Sequence, residues 1–382
     1  MFIEKGFYAK HEFWRYVVGC IAVVVAMTIG QIPWTIAVFI KEGMDVAQKT
    51  SAELMGVLEP NLNLFLLLFS FLVSLAALFI IIKFLHQQKI KDVTTTRKKI
   101  DWGRIFFGFG LIFILTLLLT GFDYYFNPEN YLLNFDLVPF LILCFIAIAL
   151  IPIQTSLEEY VFRGYLMQGL GTASIKRYFP LAVLYVLFVL ISYFFVAPFF
   201  EFGLLFNMIA MLVYGLILIL LFTTNIPQNF SNTSLHRFLH QILSRKSTPL
   251  FITSVVFGAM HFFNPEVDKI GNIIMIYYIG TGFFLGIITL MDEGMELALG
   301  FHAGNNLVTA LLVTADWTVL QTHSILKDIS EPSVGFVAVL PTLIFFGVFL
   351  FIMRWKYKWS NWKEKLFGKI TPPPTSGFLD KV

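Results

Sequence analysis

The sequence predicts an all-α, polytopic transmembrane helix bundle of about ten spans (eight to ten), and three observations carry that expectation. The chain of 382 residues is 58% hydrophobic and only 13% charged, with a mean hydropathy of +0.78. Soluble domains hold about a quarter charged residues. Phenylalanine alone supplies 44 residues, which suits lipid-facing and interhelical surfaces better than a water-facing exterior. Apolar runs recur along the chain at the length a hydrocarbon core of ~30 Å requires, about 20 helical residues rising ~1.5 Å each.

The expected spans are Trp14–Phe39, Leu62–Leu85, Arg104–Phe122, Leu137–Gln154, Pro180–Phe199, Gly203–Phe222, Pro249–Phe263, Ile273–Leu290, Leu297–Ala315 and Gly335–Met353. Pro249–Phe263 is short and bounded by Pro249 and Pro265, so a re-entrant segment is an alternative there. The first run is too long for a signal-peptide core and lacks a small-residue cleavage site after it, so it is expected to be retained as a span.

Charge sets the orientation. Lys5, Lys10 and Arg15, then Lys89 through Arg104, then Lys176 and Arg177, then Arg237, Arg245 and Lys246, then Arg354 through Lys369 mark one side. Glu42, Asp45, Glu53, Glu59, Asp123, Glu129 and Glu201 lie in the alternate loops. Basic loops stay cytoplasmic, so both termini are expected there, in a bacterial inner membrane. The net charge of +3 gives no reason to expect nucleic acid as a partner. Cys20 and Cys144 both sit in apolar runs and indicate no disulfide framework. No internal repeat is visible, and Thr371 to Pro374 reads as the start of a disordered end.

Ionisable groups inside spans are costly, so they pair, line a wet cavity or do chemistry. Three places stand out. In Ser156-Leu157-Glu158-Glu159-Tyr160-Val161-Phe162-Arg163-Gly164, Glu159 and Arg163 share a helical face in the favourable acid-before-base order. Glu158 sits about 100° round the helix. One carboxylate is thus held by the arginine while the other stays free to take a proton. The plain alternative is an interfacial helix terminus with Arg163 snorkelling to water. In Phe257-Gly258-Ala259-Met260-His261, a lone histidine ends an apolar run, and small residues let a neighbouring helix approach. In His302-Ala303-Gly304-Asn305-Asn306, His302 and Asn306 share a face and suit either an oxyanion clamp or interhelical hydrogen bonding. His236 and His240 share a face in a basic stretch and read as a surface helix. His11, His86 and His323 fall near span ends or in loops. The sequons at Asn229 and Asn232 carry no weight on a cytoplasmic loop.

Taken in order, Glu158-Glu159 with Arg163, Phe257 with His261, and His302 with Asn306 resemble the CPBP family. This family comprises the CAAX proteases and bacteriocin-processing enzymes, also called the Rce1-like or Abi intramembrane glutamic endopeptidases. The run from Gly282 to Gly286 and on to Gly300-Phe301-His302 also looks like the family's approach to its third motif. The resemblance covers residues 137–315 as a CPBP-type catalytic core. Residues 1–136 are expected to form N-terminal helices with a basic loop, and 316–382 a C-terminal span with a basic, partly disordered tail. Family members usually carry the first two motifs on consecutive spans, whereas an extra hairpin near 180–222 intervenes here. A pair of spans crosses out and back, so the insertion is compatible with the same site.

The resemblance implies an intramembrane endopeptidase. Glu158 would be the general base activating water, assisted by His261. His302 and Asn306 would stabilise the oxyanion. Glu159 and Arg163 would orient the catalytic carboxylate, and Phe257 would pack and limit solvent. No cofactor is expected. Zinc held by Glu158, His261 and His302 is the runner-up, and a non-enzymatic scaffold or self-immunity protein is a third reading. A transporter would show matching broken helices in two halves, which are not seen. The partners expected are a protein or peptide substrate in or at the membrane, and the bilayer itself. Hydropathy alone leaves one conflict: Glu158 falls near the cytoplasmic end of its span, but His261 falls toward the far end of its own.

Overall fold

A computed structural model describes residues 1–196, 199 and 203–374. The end of the Pro180–Phe199 span and the acidic loop residue Glu201 therefore fall partly or wholly outside the described residues. The helices of eight residues or more are α1 (Phe13–Glu42), α2 (Pro60–Ile80), α3 (Trp102–Phe126), α4 (Leu137–Glu159), α5 (Met167–Ser174) and α6 (Phe179–Val196). They continue with α7 (Leu204–Thr223), α8 (Ser234–Leu243), α9 (Ser247–Ala259), α10 (Ile274–Asp292), α11 (Glu296–Leu312) and α12 (Phe336–Tyr357). Each expected span has a helix over most of its described length, but the Pro249–Phe263 helix stops at Ala259, which leaves His261 in the turn beyond it, and Leu297–Ala315 leaves the helix after Leu312. Seven of the resulting segments are long and apolar enough to cross a membrane. The described part of α7, together with α9, is apolar but shorter. At 17 residues, α11 is mostly buried, so it lies inside the bundle and faces little lipid.

The chain is an integral membrane helix bundle. Among the described residues, strand is confined to a three-stranded patch, β1 (Tyr131–Leu133), β2 (Val313–Thr314) and β3 (Leu326–Asp328), in the order β1-β3-β2. β1 pairs antiparallel and β2 parallel with β3, tying the loops at the end remote from the basic segments.

Close helix approach is set by glycine. A Cβ at Gly300 of α11 would stand 1.8 Å from the Ile105 carbonyl oxygen, and one at Gly304 2.7 Å from that of Phe109. Gly108 of α3 meets the Leu297 carbonyl in the same way, at 2.5 Å. Small residues one turn apart let two backbones touch where lipid supplies no hydrophobic drive for association. α11 packs most extensively on α3 and is flanked on another side by α4, while α2 lies between α1 and α4. α9 and α10 form an antiparallel pair through Gly258 against Ile279 and Gly282 against Ser254.

The N-terminus and the segment leading to Ile370 sit at one end. The backbone N–H of Lys246 donates to Gly368, and that of Ile370 donates to Ser244. The Lys246 ammonium lies 3.5 Å from both Glu4 and Glu364. The chain is thus pinned to the bundle as far as Ile370, which is buried. Thr371 and Pro372 line a cleft against α8.

The conflict over depth resolves in the helix carrying Glu158. It does not stop near Gln154. α4 runs through a π-helical stretch, Tyr160–Leu166, directly into α5, so 137–174 is one continuous rod of 38 residues. α9 lies antiparallel along its second half. The Phe162 and Phe257 rings meet at 5.4 Å, and Met167 and Leu250 both reach the Gly286 position. Hydropathy misses the extension because residues 159–174 are polar and small. They are buried by the chain's first residues and by α9.

Candidate active site

Two adjacent carboxylates at the end of α4 have separate environments. Glu159 is fully buried, and one of its oxygens, Oε1, accepts from Arg163 Nη1 at 3.0 Å and from His302 Nδ1 at 2.8 Å. A histidine bonded to a carboxylate through Nδ1 carries its proton there, which turns Nε2 the other way. His302 Nε2 lies 3.6 Å from Glu158 Oε2. Glu158 Oε1 accepts from Gln154 Nε2 at 2.5 Å. Gln154 Oε1 in turn accepts from Asn306 Nδ2 at 3.1 Å, and Asn306 Oδ1 accepts from Asn305 Nδ2 at 3.1 Å. Glu158 Oε2 is buried and takes no hydrogen bond among the described residues.

Arg163 is 1% exposed. Beside its bond to Glu159 it donates from Nη2 to the Gly282 carbonyl at 3.3 Å, and its guanidinium carbon stands 4.1 Å over the Phe257 ring. A buried guanidinium is tolerable only when paired and hydrogen-bonded in this way. The Phe257 ring lies 4.8 Å from that of His261 and 6.2 Å from that of His302, so it separates the two imidazoles. His261 Nδ1 bonds the Phe257 carbonyl at 2.8 Å, and its ring stacks on Tyr278 at 4.5 Å. His261 Nε2 has no hydrogen-bond partner among the described residues.

The fold therefore gathers Glu158, Glu159, Arg163, Phe257, His261, His302 and Asn306 from α4 and its π-turn, α9 and the turn that follows it, and α11. The nearest polar neighbour of Glu158 on another helix is His302. His261 makes no hydrogen bond to Glu158 and joins the cluster across Phe257. The other histidines stay away: His236 and His240 bond the Arg177 and Ile175 carbonyls, His86 bonds Tyr165 and Lys10, and His323 pairs with Glu59. A shared zinc needs three lone pairs turned to one point. His302 instead directs its nitrogens at two different carboxylates. Among the described residues, no three His, Cys, Asp or Glu side chains are grouped as a metal-ligand set.

Sequence reasoning missed two features. Gln154 was read as the end of a span, although it stands four residues before Glu158 and faces both Glu158 and Asn306. The buried acids Asp292 and Glu296 cap the α10–α11 turn. Asp292 takes Arg97 at 2.8 Å, Arg104 at 2.6 Å and Trp359 Nε1 at 3.0 Å, and Glu296 takes Arg97 at 3.0 Å. Acidic residues in a loop on the basic side were the available signal. This network clamps the basic loop over the entry of α11 and so holds His302 at its depth.

Residues 232–308 match the family model described as type II CAAX prenyl endopeptidase Rce1-like. The matched stretch holds Phe257, His261, His302 and Asn306. The chain is also similar to an uncharacterized protein, YyaK, of Bacillus subtilis (strain 168), at 22% identity over 363 residues covering 93% of this chain and 96% of the relative. No solved structure matches. The matched segment carries two of the three motifs, and the fold brings the third, Glu158-Glu159 with Arg163, onto them. Over residues 232–308 the chain is thus similar to the Rce1-like type II CAAX prenyl endopeptidases.

Proposed function

We propose that this protein is an intramembrane endopeptidase in which Glu158 activates a water molecule against a peptide bond of a membrane-associated substrate. The observation that carries the reading is the Glu158 oxygen Oε2, buried, free of any hydrogen bond among the described residues and 3.6 Å from His302 Nε2. A buried acceptor left unmatched is rare, and a gap just beyond hydrogen-bond length between two polar atoms is one a water bridges.

Glu158 takes a proton from that water as its oxygen attacks the scissile carbonyl carbon. The tetrahedral intermediate holds its negative charge on the former carbonyl oxygen, where the Asn306 amide acts as donor, while His302 Nε2 accepts a hydrogen of the attacking water. Glu158 then returns the proton to the leaving nitrogen as the C–N bond breaks. Glu159 fixes the tautomer and rotamer of His302, and Arg163 holds Glu159 in place. His261, with Nε2 available, serves the same water or the leaving group. Phe257 keeps bulk solvent from the carboxylates. The mechanism uses no metal.

The basic segments, the N-terminus and the chain up to Ile370 share one end of the bundle, which supports a cytoplasmic location for that end in a bacterial inner membrane. The substrate is a protein or peptide reaching the site from the membrane. Trapping tests the reading: Glu158→Gln protein is expressed in the native host, purified with its bound partners and analysed by mass spectrometry. A protein recovered on the variant, and cleaved by the wild type in reconstituted vesicles with chelator present, supports it. Cleavage lost to chelator and restored by zinc would replace it with the metal mechanism.

A further inference from the structure

The amphipathic helix α8 lies at the basic end between α7 and α9, and its two faces have different partners. His236 and His240 turn inward, their rings stacked at 5.7 Å, and bond the Arg177 and Ile175 carbonyls at 2.7 and 3.0 Å. This seats α8 against the start of α6, where that span begins. Leu235, Phe238 and Ile242 share the opposite stripe and are exposed, Phe238 by 60%. Three large apolar side chains on one stripe, flanked by the spans on either side, face the boundary between headgroups and acyl chains.

The charge on this helix is also unspent. Arg97, Arg104 and Lys246, elsewhere at the same end, are each paired with carboxylates. Lys176, Arg177, Arg237, Arg245 and Lys369 have no carboxylate within ion-pairing distance among the described residues. Arg237 and Lys369 stand on opposite walls of a cleft of about 390 Å³ between α8 and the segment 369–372, together with His240, Ser244 and Thr371. The cleft opens beside the apolar stripe.

We propose that this cleft is a binding site for the headgroup of an anionic phospholipid. Its phosphate sits between Arg237 and Lys369, and its acyl chains run past Phe238 into the bilayer. Charge and apolar stripe together match an amphiphile of that sign. Bound there, the lipid ties the tail segment 369–372 to α8, and α8 leads into α9, which His261 follows in the turn just beyond Ala259.

The test is titration of the full-length protein in neutral detergent micelles with fluorescent phosphatidylglycerol and, separately, phosphatidylcholine. At roughly one factor of five per basic residue, Arg237→Gln with Lys369→Gln weakens phosphatidylglycerol binding by about tenfold or more and leaves phosphatidylcholine unchanged. Lys358→Gln with Lys363→Gln removes the same charge from the same end and leaves both unchanged. Phe238→Asn weakens phosphatidylglycerol binding with the cations intact. Equal losses in the two double variants, or no loss in Arg237→Gln with Lys369→Gln, would overturn the site. Competition by inorganic phosphate as strong as by the lipid would overturn it as well, since the cleft would then be a free-anion site.

Discussion

Replacing Glu159 by alanine separates the two adjacent carboxylates most sharply. Arg163 is 1% exposed, and Glu159 is its single carboxylate partner among the described residues. Removing that partner leaves a buried guanidinium uncompensated, which costs about 3–5 kcal/mol. The His302 Nδ1 donor loses its acceptor at the same time, a further penalty of about 1–3 kcal/mol if taken alone. Both bonds end on the same Oε1 atom, so the two losses overlap and the single substitution is expected to destabilise by about 3–5 kcal/mol in all. The unfolded fraction then rises roughly two to three and a half orders of magnitude. Glu159→Leu together with Arg163→Met removes the pair whole. Replacing a buried ion pair by apolar residues of similar volume is often neutral or stabilising, so this double variant recovers most of the lost stability. It stays inactive, because His302 has lost the group that orients it. Denaturant unfolding of the reconstituted protein, beside a cleavage assay, reads both quantities. Wild-type stability in Glu159→Ala, or a double variant no more stable than the single one, would refute this account of the pair.

Three further outcomes follow from particular contacts. Gln154→Leu, which frees Glu158 and Asn306 from their common tether, lowers the turnover rate roughly 10²-fold while the unfolding midpoint stays near wild type. Gly300→Val forces α3 from α11 and destabilises by about 1–3 kcal/mol or more; Gly110→Val, where an added Cβ meets nothing within 4 Å, leaves thermal unfolding unchanged. Glu266, in the connector between α9 and α10, is pushed above the ordinary carboxylate range by burial. Its stabilising contribution is therefore complete below the unfolded-state value, about 4.3, and is lost as pH rises through the raised folded value. The unfolding midpoint of Glu266→Gln, which keeps an acceptor for the Val319 N–H, exceeds wild type by a margin that widens between acid and neutral pH.

Helix positions were legible because lipid demands long apolar runs, and each expected span is a helix over most of its described length. The four-residue spacings of Glu159 with Arg163 and of His302 with Asn306 marked shared faces. What spacing could not show was which atoms meet. His302 was read as an oxyanion donor, yet its Nδ1 is taken by Glu159 and its Nε2 is turned toward Glu158. The paired depths of Glu158 and His261 were illegible for a related reason. Residues 160–174 carry too little hydropathy to register as a span, and it is contact with α9 and the N-terminal segment that keeps them helical. Gln154 escaped notice because an uncharged amide at the end of an apolar run looks like a span boundary. The π-turn at Tyr160–Leu166 has no sequence signature at all, although such turns recur at functional sites.

The central claim is that Glu158 and His302 act on one water. It is tested most directly by single-turnover cleavage rates of Glu158→Gln, His302→Ala and the double variant in the same vesicles, each checked for folding. Groups that work as a unit lose nearly everything when either is removed. The account predicts that each single variant falls almost as far as the double, with no further loss on combining them. Losses that multiply independently, or a Glu158→Gln protein that cleaves at the wild-type rate, would contradict it.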